Sequence, residues 1–116
     1  MAKINPIISA VTEEISRNTQ TIIGDKLRKI IIYGSYARGD YESYSDLDIM
    51  VFADVNESEF KDFEGKLGKV ASRASIDHDI TVCLLLYDEK LFRSRLHLSS
   101  FYRNVLSEGV EIYATR

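Results

Sequence analysis

Gly34-Ser35-Tyr36-Ala37-Arg38-Gly39-Asp40, followed at a short interval by Ser45-Asp46-Leu47-Asp48-Ile49-Met50-Val51, is the stretch whose reading decides the fold. Before it runs Lys29-Ile30-Ile31-Ile32-Tyr33, a β-branched segment that reads as a strand buried on both faces and ends at Gly34. After it, Leu47 to about Ala53 reads as a second strand, and Gly39, Asp40, Ser43 and Ser45 supply turn formers between the two. Part of that interval suits the first turn of a helix starting near Ser35, or an irregular loop. Alternation along the second strand sends Asp46 and Asp48 to one side and Leu47 and Ile49 to the other. Two carboxylates side by side repel unless a cation lies between them. A divalent ion carrying phosphates explains both the acid pair and the turn.

The chemistry follows from the residue types. Residues two apart in a strand are about 6.5–7 Å apart at the backbone, and their carboxylates can converge on ions that lie about 3.5–4 Å apart in two-metal sites. Magnesium favours such oxygen ligands together with substrate phosphates. Aspartate is a poor strand former, so two at a strand start want a reason. In the turn, Gly34 lets a phosphate approach the main chain, Ser35 offers a hydroxyl donor, and Arg38 carries a planar fork suited to phosphate oxygens. No Gly-Lys-Ser/Thr follows, so the turn is not a P-loop. A third acid often completes such a site. Asp79, at the entry of a third strand over Ile80–Tyr87, is the first candidate, with Asp77 on the same face as the fallback.

The flanking chain reads as scaffold. Asn5 as N-cap and Pro6 at the first helical position open an amphipathic helix carrying Ile4, Ile8, Val11 and Ile15, which ends near Gly24. Asn56 and Glu59 form a capping-box pattern before the stripe Phe60, Phe63, Leu67, Val70 and Ala74. Gly65 and Gly68 weaken that helix and suggest close approach to the sheet. Asp88 caps a further helical stretch, Ser99 or Ser100 restarts one, and Gly109 closes it before a short last strand at Val110–Tyr113. The pattern predicts an α+β fold, a small mixed sheet with helices packed on it, over 1–116 as a single domain.

At 116 residues, 45% hydrophobic, 28% charged and with a net charge of -3, the chain has the composition of an ordinary globular protein. The charge argues against broad binding to nucleic acid or acidic membranes. The lone Cys83, within an apolar run, reads as a small buried residue, and a reducing cytoplasm is the expected compartment. No apolar run approaches the length needed to span a bilayer. Tyr36, Tyr41 and Tyr44 read as surface tyrosines, His78 as structural, and Arg93, Arg95 and Arg103 as a solvated or partner-facing basic face.

Joined, Gly-Ser, a spacer of ten residues and Asp-Leu-Asp are far more specific than their parts. Gly34-Ser35-Tyr36-Ala37-Arg38-Gly39 with Ser45-Asp46-Leu47-Asp48 resembles the signature of the DNA polymerase β-like nucleotidyltransferase superfamily, and most closely its minimal nucleotidyltransferase branch. Phe101 through Tyr113 also looks like that branch's C-terminal helix and strand. The resemblance implies a polymerase β-like core in which Asp46, Asp48 and Asp79 hold two Mg2+ ions and Gly34, Ser35 and Arg38 bind the triphosphate of ATP. It further implies an acceptor surface on another chain. Minimal nucleotidyltransferases are often paired with a HEPN ribonuclease toxin, and the resemblance implies that this chain transfers AMP to a tyrosine of such a partner as its antitoxin. A non-catalytic toxin-binding adapter and a transferase acting on a small-molecule hydroxyl are the competing expectations.

Overall fold

The computed structural model describes residues 6–115, so the expected Asn5 cap and Ile4 lie outside the described residues. Helix α1 (Pro6–Ile23) buries Ile8, Val11, Thr12, Ile15, Thr19 and Ile23, a single helical stripe. A 3-10 turn entered through Gly24 (φ 69°) leads into β1 (Leu27–Tyr33). A one-turn helix, α2 (Ser35–Arg38), follows at once, and β2 spans Leu47–Ala53. Helix α3 (Glu57–His78) begins with the expected capping box: the Asn56 side chain accepts from Glu59 N–H at 3.0 Å, and the Glu59 carboxylate accepts from Asn56 N–H at 3.3 Å. Strand β3 (Val82–Asp88), α4 (Glu89–Ser94), α5 (Ser100–Glu108) and β4 (Val110–Ala114) complete the chain.

The four strands stand in the order β3-β2-β1-β4. Strand β1 pairs antiparallel with both β2 and β4, whereas β2 and β3 are parallel and joined by α3 as the crossover. This is the mixed sheet with packed helices that the sequence predicts. Alternation splits its residues into two layers. Ile30, Ile32, Leu47, Ile49, Val51, Val82 and Leu86 share one core with Val11 and Ile15 of α1 and Leu67, Ala71 and Ala74 of α3. Ile31, Met50 and Phe52 point to the other face, where Phe92 of α4 and Val105 of α5 close over them. Phe92 packs edge-on against Phe52 at 4.6 Å between ring centroids, and stacks on Tyr102 at 4.6 Å.

The helical glycines differ from expectation. Gly65 and Gly68 are exposed, and a Cβ at either would meet nothing within 4 Å, so they do not serve close approach to the sheet. Gly109 is the tight position: a Cβ there would collide with Ile31 and with the Val105 carbonyl. Gly65→Ala and Gly68→Ala should therefore each raise stability by up to about 1 kcal/mol, whereas Gly109→Ala should lower it by about 1–3 kcal/mol. Urea unfolding of the three variants measures both directions.

Candidate active site

Strand register builds the site. Tyr33 of β1 stands opposite Asp48 of β2, and Asp48 stands opposite Cys83 of β3, so the three form one row across the sheet. Asp46 lies just before β2, where Leu47 N–H donates to the Thr81 carbonyl at 2.8 Å and ties this segment to the approach of β3. The Cys83 thiol points to an Asp46 carboxylate oxygen at 3.9 Å. Asp46 is exposed and Asp48 is half-buried. Both carboxylates thus belong to the face that α4 and α5 cover only in part.

Gly34 is where the turn meets this row. Its backbone has φ 75° and ψ -154°, a conformation closed to residues with side chains, and a Cβ there would lie 2.5 Å from Asp48 Oδ2. The Gly34 carbonyl accepts from the N–H groups of Ala37 and Arg38, both at 3.1 Å, which winds α2 directly off β1. Gly39 (φ 86°) ends α2, its N–H donating to the Ser35 carbonyl at 2.9 Å. Tyr36 and Ala37 are buried and anchor the turn, with Tyr36 stacked on Tyr41 at 4.3 Å. Ser35 is half-buried and its hydroxyl has no hydrogen bond among the described residues. Arg38 reaches Asp40 at 3.2 Å and Glu108 of α5 at 3.8 Å, both exposed pairs worth little by themselves.

The electrostatics call for positive charge. Burial, and then the neighbouring Asp46, push the Asp48 carboxyl above its ordinary range, and Arg38 only partly opposes them. The Tyr33 phenol is pushed up to about 12 by burial and by Asp48, which leaves it a neutral hydroxyl beside the carboxylates. Burial, Asp46 and Asp48 likewise raise the Cys83 thiol. The paired carboxylates are an oxygen donor set of the kind magnesium favours. Among the described residues no group of three His, Cys, Asp or Glu side chains is arranged to hold a metal ion.

A cleft of about 510 Å3 opens between this row and α5, with Gly34, Arg38 and Asp48 on one wall and Phe101, Asn104 and Glu108 on the other. The Gly34 turn, the Arg38 fork and the Asp48 carboxylate therefore line one cavity, with Ser35 next to Gly34 in the chain and Asp46 near Asp48. A sequence profile described as a nucleotidyltransferase domain matches residues 12–112. The chain belongs to this nucleotidyltransferase family. A Methanocaldococcus jannaschii relative, provisionally named protein adenylyltransferase MJ0141, is 34% identical over 105 residues, covering 90% of this chain and 98% of the relative. A second from that organism, provisionally named protein adenylyltransferase MJ0604, is 35% identical over 88 residues, covering 76% and 80%. Among solved structures, a toxin-antitoxin with AMP-PNP superposes with a TM-score of 0.57 at 22% identity, over 90% of this chain and 74% of that one. The tri-AMPylated Shewanella oneidensis HEPN toxin in complex with MNT antitoxin gives 0.53 at 20%, over 92% and 72%. At these identities the structural likeness speaks for the fold.

Within the nucleotidyltransferase, the residues expected from sequence do not all meet. Gly34, Ser35, Arg38, Asp46 and Asp48 come together as described. Asp79 does not open the third strand. It caps the C-terminus of α3 in the left-handed conformation (φ 52°), exposed and three residues short of β3, and Asp48 has its register partner in Cys83 instead. Asp77 lies within α3 and pairs with Arg73 at 3.2 Å. Helix α3 runs longer than its stripe suggests, through His78, which pairs with Glu14 at 3.1 Å; no residue type there forces an earlier stop. Cys83 is half-buried beside the acids, not a core residue, and Tyr36 is a core residue, not a surface one. Tyr33, Asn104 and Glu108 are cleft residues that sequence reading passed over. Parity with Asp48 across a parallel pair could have found Cys83; nothing local marks the α5 residues.

Asp48→Asn should raise the melting temperature while abolishing nucleotidyl transfer. The sign is set by a native carboxyl held above its unfolded range: the penalty is full above that range and fades as pH falls and the group protonates. The stability gap between variant and parent should therefore shrink on acidification, as thermal scans across the acid range would show. Asp79→Asn, which keeps a residue tolerant of the left-handed cap, should leave transfer within about two-fold in a single-turnover assay.

Proposed function

We propose that this nucleotidyltransferase moves AMP from ATP to a tyrosine hydroxyl of a HEPN-family toxin and so acts as its antitoxin. The observation that carries the reaction class is Asp48, with Asp46 near it, set against the Gly34 turn and Arg38 in one cleft. Asp46 and Asp48 would hold two Mg2+ ions, which when bound neutralise phosphate charge and polarise the attacking hydroxyl. Gly34 admits the outer phosphates to the main chain, the free Ser35 hydroxyl donates to them, and Arg38 exchanges its exposed pairs with Asp40 and Glu108 for phosphate oxygens. The tyrosine oxygen attacks the α-phosphorus in line as its proton passes to solvent water, the bond to the bridging oxygen breaks, and pyrophosphate leaves toward Arg38. Tyr33, neutral beside Asp48, can donate a hydrogen bond there without adding negative charge.

The choice of acceptor rests on the names of similar proteins: protein adenylyltransferase among the sequence relatives and MNT antitoxin among the structural neighbours. Among the described residues no helix is long and apolar enough to cross a membrane, and we infer a cytoplasmic enzyme. The test incubates the chain with labelled ATP, Mg2+ and its HEPN partner, beside Asp46→Asn and Asp48→Asn. Label should pass to the partner and fall at least about 100-fold in both variants. Toxin neutralisation that persists in both variants with no label transferred would sink the enzymatic reading in favour of an adapter.

A further inference from the structure

Helix α5 turns one stripe into the active-site cleft. Phe101, Asn104, Val105 and Glu108 all line it, at the spacing i, i+3, i+4, i+7 of one helical face. Val105 is buried against the sheet and anchors the helix, while Phe101 and Asn104 stay open to the cavity. Glu108 meets Arg38 at the phosphate-binding end. From Glu108 back to Phe101 the helix rises about 10 Å, a wall long enough for a sugar and base laid along it. The cleft, about 510 Å3, falls within the size of ordinary small-molecule sites.

The chemistry of the two open side chains is specific. Phe101 touches Tyr33 edge-to-face at 6.0 Å and Tyr102 at 5.9 Å, yet remains 46% exposed, so much of the ring awaits a partner. The Asn104 side-chain amide makes no hydrogen bond among the described residues. An amide offers one donor and one acceptor side by side, the complement of the adenine N6 and N7 edge. We propose that α5 is the nucleoside-reading wall of this enzyme, with Phe101 stacking on the base and the Asn104 amide selecting adenine. The inference rests on the nucleotidyltransferase reading of the cleft and adds to it the part that recognises the base.

The test is equilibrium binding of ATP, GTP, CTP, UTP and inorganic tripolyphosphate, each with Mg2+, to the parent, Phe101→Ala, Phe101→Trp and Asn104→Leu. Phe101→Ala should weaken all four nucleotides about ten-fold or more and leave tripolyphosphate unchanged, while Phe101→Trp retains nucleotide affinity. Asn104→Leu should erase the parent's preference for ATP over GTP, again without effect on tripolyphosphate. Both residues are exposed, and unchanged tripolyphosphate binding shows that the variants are folded. Nucleotide affinity and preference unaltered in the variants, with tripolyphosphate still bound, overturn this inference alone. A parent that binds neither ATP nor tripolyphosphate overturns the nucleotidyltransferase reading of the cleft and this inference with it.

Discussion

Residue 34 and the Asp48 carboxylate compete for the same space, and the site exists because residue 34 has no side chain. The antiparallel register of β1 and β2 sets Tyr33 against Asp48, so the next residue of β1 must turn directly over that carboxylate. Only glycine accepts both the positive φ and the missing volume. The turn then coils at once into α2, whose buried Tyr36 and Ala37 lock it to the core. Gly34 and Asp48 are thereby held at one cavity by two hydrogen-bonded strands rather than by a flexible loop.

That arrangement is costly in isolation. A half-buried carboxylate beside a second one, opposed only by an exposed arginine, is a strained electrostatic state. The fold tolerates it because stability comes from elsewhere: a large core between the sheet and α1 and α3, and a smaller aromatic one under α4 and α5. On the proposed function, the same uncompensated charge would draw a cation and the phosphates it carries to the site.

The two faces of the sheet are used differently. One is sealed by long helices, and its residues on β1 and β2 are core, a register shift after Leu27 keeping both Leu27 and Ile30 inward. The other is sealed at one end by Phe92 and Val105 and left open at the other, where the row Tyr33, Asp48 and Cys83 stands. Helix α5 serves both halves, since Val105 closes the small core while its neighbours line the cleft. Gly109 keeps that helix close, because its missing Cβ lets the chain pass Ile31 on the way to β4.

Local signals carried much of this into the sequence. The alternation from Leu47 to Ala53 sufficed for β2 and for the common face of Asp46 and Asp48, because a strand's period of two is a property of the backbone alone. The Asn56 and Glu59 box located the start of α3, and the glycine-bounded turn with its acid pair was enough to point to the family. The third strand position was different. Asp79 is close to Asp48 in the pattern of acids but is spent on a helix cap, and the residue that faces Asp48 is Cys83. Which residue stands across a parallel pair depends on where α3 ends and how the crossover docks, and neither is written in the residues of β3. The wall formed by Phe101 and Asn104 depends likewise on how α5 packs. Sequence alone determined the turn, the acid pair and the strands that carry them; tertiary packing decided what faces them, because register and helix docking are settled by contacts between distant segments.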